Sequence, residues 1–169
     1  MKKKIFEYIV NGSDPFIDQR GKINNFRLNE KINLIATITS KKGSMRSNHY
    51  HPVQQQKCLL IKGQYVSVYK DLLNKDSSRI THVVNPGDLI MTEPNVAHTM
   101  VFTKDSIFLN LVNGEREHKN YGKTHTIPYK LVDDSEREYL VDNYKHECRV
   151  CLNESFSRFV SLGFQPHPN

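Results

Sequence analysis

Tryptophan is absent from this 169-residue chain, and cysteine occurs only three times. The three cysteines are Cys58, Cys148 and Cys151, an odd set placed mostly late in the chain, which does not make the framework of a small disulfide-stapled domain. No stretch approaches the roughly 18 consecutive apolar residues of a membrane-spanning helix. Low-complexity tracts are missing too, and a 37% hydrophobic share with 8 Phe and 8 Tyr is more apolar material than a disordered chain of this charge carries. The start has the basic opening of a secretory leader, Met1-Lys2-Lys3-Lys4, but Glu7 interrupts the apolar run and Asn11-Gly12-Ser13-Asp14 closes it early. The expectation is one cytoplasmic globular unit with no membrane partner.

Lys and Arg number 24 against 18 Asp and Glu, a formal net charge of +6. The cations are dispersed, apart from Lys2-Lys3-Lys4 and the pair Lys41-Lys42, and no Arg and aromatic side chains interleave into a platform for bases. A nucleic-acid partner is therefore not expected. An ordinary solvated surface accounts for the charge, and a phosphate-bearing metabolite would also be compatible with it.

Turn chemistry divides most of the sequence into short β-type runs: Ile5 to Val10, Ile32 to Thr39, Cys58 to Lys62, Tyr65 to Lys70, Ile80 to Val84, Leu89 to Thr92, Met100 to Phe102 and Ile107 to Val112. Between them stand breaks such as Lys41-Lys42-Gly43-Ser44, Lys62-Gly63-Gln64 and Asn85-Pro86-Gly87-Asp88. Some runs alternate, with Ile32, Leu34, Ala36 and Ile38 on one face and Asn33, Ile35, Thr37 and Thr39 on the other. Short strands without a long helical pattern among them predict an all-β sandwich or barrel of jelly-roll type. One helix is predicted over Asp134 to Tyr144, with a capping box at Ser135-Glu136-Arg137-Glu138 and a partial apolar face of Tyr139, Leu140 and Tyr144. The β domain is expected over 1–131 and a helical appendage over 132–169.

The segment from Gly43 to Gly63 carries the chemistry. Residues two apart on a strand share a face, so His49 and His51 point the same way while Tyr50 points the other. Two imidazoles turned to one cavity suit proton transfer near neutral pH or metal ligation, and seldom serve as packing filler.

The spacing Gly-x5-His-x-His-x4-Gln-x6-Gly, from Gly43 to Gly63, resembles the first cupin motif with Gln56 in place of the usual Glu. Gly87, Pro94 and His98 resemble the second motif, one residue shorter after the proline and without its glycine. In metal-binding cupins the ligands would be His49, His51, Gln56 and His98. Gln56 removes the anionic donor that favours a hard divalent ion, so the resemblance implies no obligatory metal or cofactor.

A finer resemblance is to the dTDP-sugar 3,4-ketoisomerases and dTDP-4-dehydrorhamnose 3,5-epimerases, through Asp18-Gln19-Arg20-Gly21 and Arg46-Ser47-Asn48-His49. It implies a homodimer and a nucleotide-diphosphate sugar as ligand, with His49 and His51 as the catalytic pair and Arg20, Arg46, Gln56, Lys57, His98 and Asn110 binding substrate. His51 and Gln56 resemble the ketoisomerases. Lys57 lies one residue from a substrate-contacting Lys of the epimerases, and Asn110 is nearest to the position of their tyrosine acid. A hydrogen beside a sugar ketone is acidic because its enolate spreads charge onto oxygen, and imidazole is a base matched to that step. Arg46 and Lys57 would bind diphosphate or steady the enolate. Two other expectations stay open: a metal-dependent, dioxygenase-like cupin using His49, His51 and His98, and a non-catalytic nucleotide-sugar-binding module.

Cys148-Arg149-Val150-Cys151 is half of a zinc-site pattern. With Leu162-Gly163-Phe164-Gln165-Pro166 it resembles the opening of the zinc module of sugar C-methyltransferases, whose second Cys-x-x-Cys is missing here. No zinc is therefore expected unless His146 or His167 completes the set. Phe156, Phe159, Leu162 and Phe164 are expected to pack on the β domain or on a dimer mate.

Overall fold

The computed structural model describes residues 7–9, 13–29, 31–113 and 126–144. Among them run β1 (Glu7–Ile9), β2 (Ser13–Asp18), β3 (Gly21–Asn25), β4 (Leu34–Ser40), β5 (Met45–Tyr50), β6 (Gln56–Asp71), β7 (Ile80–Val84), β8 (Leu89–Thr92), β9 (Val96–Val112), β10 (Ile127–Pro128) and α1 (Asp134–Asn143). The expectations for Cys148, Cys151, His146, His167 and the late phenylalanines lie outside the described residues.

All strand pairings are antiparallel. One sheet joins β1-β8-β6-β9-β5-β10, with β4 also on β9 and β7 also on β6, while β2 and β3 form a separate hairpin. Among the described residues the chain adopts the expected all-β class with one short helix.

Two long strands turn this sheet into a roll. Residues Lys57 to Leu60 of β6 pair with Leu111 to Phe108 of β9, and Tyr65 to Asp71 pair with Phe102 to Val96, with register shifts between the two stretches. Each strand therefore serves two walls. The first wall holds β8, the start of β6, the end of β9 and β4. The second holds β7, the end of β6, the start of β9 and β5.

The predicted runs Cys58 to Lys62 and Tyr65 to Lys70 are thus one strand, as are Met100 to Phe102 and Ile107 to Val112. Lys62-Gly63-Gln64 was expected to break the chain and instead bends it. Gly63 has φ +94°, and a Cβ there would lie 2.6 Å from Ser106 Cα and closer still to the Asp105 carbonyl. Glycine is the residue this crossing tolerates.

Alternation assigns the faces. Cys58, Leu60, Tyr65, Val84, Ile90, Met100, Phe102 and Phe108 form an apolar cluster drawn from both walls, with Ile38 packed against it. On the other face of the second wall, Val66, Val68, Ala97 and Val101 meet Leu131, Val132 and Leu140. Each such side chain contributes about 1.5–3 kcal/mol by leaving water. The helix is held to the β structure by this second cluster and by Arg79, which donates to the Glu136 carboxylate and the Leu131 carbonyl.

The cap of α1 differs from the expected capping box. Asp133, with extended backbone, accepts from Glu136 N at 2.8 Å, and Ser135 donates its hydroxyl to the same Asp133 carboxylate at 3.0 Å. Ser135 already lies inside the first turn, so it cannot be the N-cap.

Candidate active site

The expected strand ends one residue before His51. Within β5, Ser47 (φ 74°) and Asn48 (φ 57°) lie in the left-handed region, and the register with β9 shifts between Ser47 and His49. This bulge re-aims the end of the strand. Asn48 fixes it: its Oδ1 accepts from Thr99 Oγ1, Leu131 N and Val132 N at 2.7–3.1 Å, and its Nδ2 donates to Val132 O at 2.8 Å. Nothing in the sequence marked Asn48 as a positioning residue.

His49 then lies opposite His98 of β9 in the ladder. His51 reaches the same place from the loop after β5. That loop is tied to the β8–β9 turn, because Asn95 N donates to His51 O at 2.8 Å, Asn95 Nδ2 to Pro52 O at 3.1 Å, and Gln55 Nε2 to Glu93 Oε1 at 2.7 Å. The three imidazoles converge, with ring centroids 4.8 Å apart for His49 and His51, 4.9 Å for His49 and His98, and 5.4 Å for His51 and His98. One nitrogen from each lies within 4.8 Å of the others. All three are buried, His98 most of all at 2% exposure.

Second contacts orient two of the rings. His98 Nδ1 stands 3.1 Å from the Val96 carbonyl, an atom that can only accept, so Nδ1 carries the hydrogen and Nε2 presents its lone pair. Thr126 Oγ1 lies 3.3 Å from His51 Nδ1, a contact no sequence signal disclosed. Burial lowers the His98 pKa from 6.5 to about 3; the neighbouring charge of His51 adds to this and the Val96 carbonyl opposes it. His98 is therefore neutral at working pH, with an Nε2 that can accept a hydrogen bond or donate an electron pair.

That shift has a measurable consequence. Between pH 6.5 and about 3 the unfolded chain binds a proton at His98 that the folded chain refuses, so stability falls as pH drops through this window. The slope is up to about 1.4 kcal/mol per pH unit, and above pH 6.5 this group adds no pH dependence. Urea unfolding at pH 7, 6 and 5 should show that acid loss in the wild type and a flatter dependence in His98→Gln. Equal slopes in both proteins would contradict it.

The remaining expected site residues are spread over both walls. Gln56, opposite Thr92 in the ladder, shares the inner face of Cys58 and Leu60. Asn110 is buried on the same inner face and accepts from Cys58 Sγ at 3.9 Å. Lys57, one residue from Gln56, is turned to the outer face of that wall beside Met91 and Leu111, and is only 1% exposed. Arg46 spans the seam between β5 and β4, donating to Ser40 Oγ at 2.6 Å and the Thr39 carbonyl at 2.8 Å. It borders a groove of about 730 Å³ that Lys41, Lys62 and Asp105 also line. Arg20 is exposed at the tip of the β2–β3 hairpin, where its guanidinium engages Asp18 and holds that carboxyl below its usual range.

No protein-family model and no curated protein sequence matches the chain. Solved structures do match in shape. A 3,4-ketoisomerase from Thermoanaerobacterium thermosaccharolyticum in complex with TDP-4-keto-6-deoxyglucose superposes with TM-score 0.60 at 14% identity, over 85% of this chain and 99% of that one. The dTDP-4-dehydrorhamnose 3,5-epimerase of Sulfolobus tokodaii gives 0.55 at 16% identity, over 72% and 81%. The capsular polysaccharide assembling protein CapF of Staphylococcus aureus gives 0.52 at 16% identity over 69% of this chain, which spans about a third (32%) of that protein. The chain has the fold of the nucleotide-sugar isomerases and epimerases.

Proposed function

We propose that the chain is an isomerase of a nucleotide-linked 4-keto-6-deoxyhexose, working by 3,4-ketoisomerisation or by C3/C5 epimerisation, with His49 and His51 as the proton-transfer pair. The observation that carries this reading is the buried convergence of three imidazoles, of which His98 is held neutral with its Nε2 lone pair exposed to the other two. A structural neighbour crystallised with a TDP-4-keto sugar supports the substrate class.

One of the pair removes the C3 hydrogen from a sugar whose C4 carries the ketone. In a ketoisomerase a proton that has exchanged with solvent on the imidazole is then delivered to C4; in an epimerase one is delivered to C3 from the opposite face. Both rings lie on one cavity wall, which favours the first route. His98 Nε2 is buried and makes no hydrogen bond among the described residues, so its lone pair is open to a substrate hydroxyl, while Gln56 and Asn110 supply amide contacts from the facing wall. Arg46 offers its remaining guanidinium hydrogens to the diphosphate at the seam. Lys57, facing outward, takes no part in this reading.

Arg20 reaches a nucleotide when the β2–β3 hairpin of one protomer extends to the site of another. Exposed Ile17 (68%) and Ile23 (54%) on that hairpin support a homodimer of this kind. Among the described residues no helix is long and apolar enough to cross a membrane, and a cytoplasmic location belongs to the proposal.

The test is proton exchange. Protein incubated with TDP-4-keto-6-deoxyglucose in deuterated water should place deuterium at C3 or C4 of the sugar. Absence of exchange with TDP-, UDP- and GDP-linked 4-keto sugars alike would remove this reading.

The same cluster favours one alternative. His49, His51 and His98 fit a divalent transition metal, since each can offer one nitrogen and His98 is backed by a carbonyl in the manner of a ligating histidine. A bound ion would polarise the sugar ketone as a Lewis acid. Exchange that persists undiminished after dialysis against chelator favours the metal-free reading, and loss restored by added metal favours the alternative.

A further inference from the structure

We infer that the groove at the seam between β4 and β5 is a second ligand site, which takes a diphosphate group from solution on the outer side of the roll. It stands apart from the histidine cavity and does not depend on the isomerase reading.

The alternation of the strands places it. Phe108 belongs to the inner apolar cluster and Ile38 packs against that cluster, so Thr39 and Ile107, partners in the β4–β9 ladder, turn outward. Lys62, exposed, adjoins Ile107 from β6. These three side chains line the groove of about 730 Å³, and His49, His51, His98, Gln56 and Asn110 do not. Arg46 borders it from the other side: it stands opposite Met100 of the inner cluster and commits Nε and Nη2 to the seam. Its remaining hydrogens are left to the substrate.

Charge identifies the occupant. The lining carries Lys41, Lys62 and Arg46 against the single carboxylate of Asp105. Among the described residues Lys41 and Lys62 enter no ion pair, and their ammonium groups make no hydrogen bond. Asp105 is partly spent on the loop, its Oδ1 accepting from Lys42 N at 2.8 Å. The lining therefore keeps an excess of positive charge, which suits a group bearing two or more negative charges, as a diphosphate does. No aromatic ring lines the groove to stack on a nucleobase, and Met45 and Ile107 are its apolar contacts, so recognition falls on the charged group. The volume lies in the range of small-molecule sites.

The loop that presents Lys41 is fixed in advance. Gly43 N donates to Phe102 O at 2.8 Å, Phe102 N to Ser44 O at 3.0 Å, and Ser44 donates to Lys41 O through both N and Oγ. Little ordering is left for an anion to impose.

Calorimetric titration with inorganic pyrophosphate at low salt tests the site. Lys41→Gln/Lys62→Gln should weaken binding by about 10-fold or more, two charge-assisted contacts being lost. Asp105→Asn keeps an acceptor for Lys42 N and removes the opposing charge, so it should tighten binding roughly threefold. Affinity for TDP-4-keto-6-deoxyglucose should stay unchanged in the double lysine variant. Titration with TDP identifies the source of the diphosphate: two sites per chain in the wild type and one in the variant mark a nucleoside diphosphate, and one in both marks free pyrophosphate. Equal pyrophosphate affinity in wild type and variant would overturn the inference. So would a parallel loss of the nucleotide sugar, which would make the groove part of the substrate's own site, or an equal loss in Lys75→Gln/Lys130→Gln, which would reduce the effect to net charge.

Discussion

Replacing His49 by Asn should lower deuterium wash-in from solvent to a TDP-4-keto sugar by about 10³-fold or more, the upper part of the range for losing a positioned acid or base. Asn fits the space and keeps a polar atom, but its amide cannot take up a proton near neutral pH. Nucleotide-sugar binding should survive, because His49 meets the sugar and the diphosphate is assigned to Arg46. The fold should survive as well: His49 sits at the strand end, where the local backbone is held by Asn48 through Leu131, Val132 and Thr99. Exchange rates by proton NMR, beside a thermal melt and a titration with TDP, separate these outcomes. Retained exchange in a folded His49→Asn would shift the chemistry to His51 alone or to a metal.

The largest stability effect is expected far from the histidines, at Gly63. There β6 crosses from one wall to the other against the bend of β9, and the Ser106 hydroxyl is engaged by Gln64 N at 3.1 Å and donates to Lys104 O at 2.7 Å. Gly63→Ala adds a Cβ against Ser106 and Asp105 backbone at a φ of +94°. Left-handed strain of about 1–2 kcal/mol and overpacking of about 1–3 kcal/mol act together, so a loss of roughly 3 kcal/mol or more is expected in chemical denaturation. Because the bend sets how the walls face each other, activity should fall along with stability. A loss below about 1 kcal/mol would mean that the crossing relaxes easily.

How far the sequence disclosed this molecule depended on where the signal lay. Strands β7 and β8 were legible to the residue, since Ile80–Val84 and Leu89–Thr92 are β-branched or apolar runs closed by Asn-Pro-Gly-Asp and Glu-Pro-Asn turns. Strands β6 and β9 were each read as two: in β6 the glycine of a sharp bend, Gly63, looks in sequence like the glycine of a turn, and in β9 the polar Thr103-Lys104-Asp105-Ser106 interrupts the apolar run. The β2–β3 hairpin went unread. Its turn, Gln19-Arg20, is followed by Gly21 at φ 136° and preceded by Asp18 accepting from Arg20 N, yet these residues drew notice as a nucleotide motif instead. Strand β5, Met-Arg-Ser-Asn-His-Tyr, has little β propensity, and only the His-x-His spacing placed it on a strand.

The site shows the same division. His49 and His51 were paired by a local rule, the two-residue period of a strand, although His51 lies just past the strand and shares the cavity through the Asn95 loop contacts. His98 is 47 positions beyond His51 and was found through a motif resemblance; its register with His49 is a tertiary fact. Lys57 entered through its nearness to a substrate-contacting Lys of the epimerases, and the alternation of β6 turns it and Gln56 to opposite faces. Asn48 and Thr126 make contacts of long sequence separation, which composition and spacing do not carry.

The central claim, that these buried imidazoles move a proton between neighbouring carbons of a keto sugar, is tested most directly by following carbon itself. TDP-4-keto-6-deoxyglucose labelled with ¹³C in the hexose, incubated with chelator-treated protein, should lose carbonyl signal at C4 and gain it at C3, or keep the C4 ketone while the hydrogen at C3 or C5 inverts. A sugar spectrum unchanged after prolonged incubation, with TDP shown to bind the same preparation, would contradict the account and leave a module that holds nucleotide sugars without transforming them.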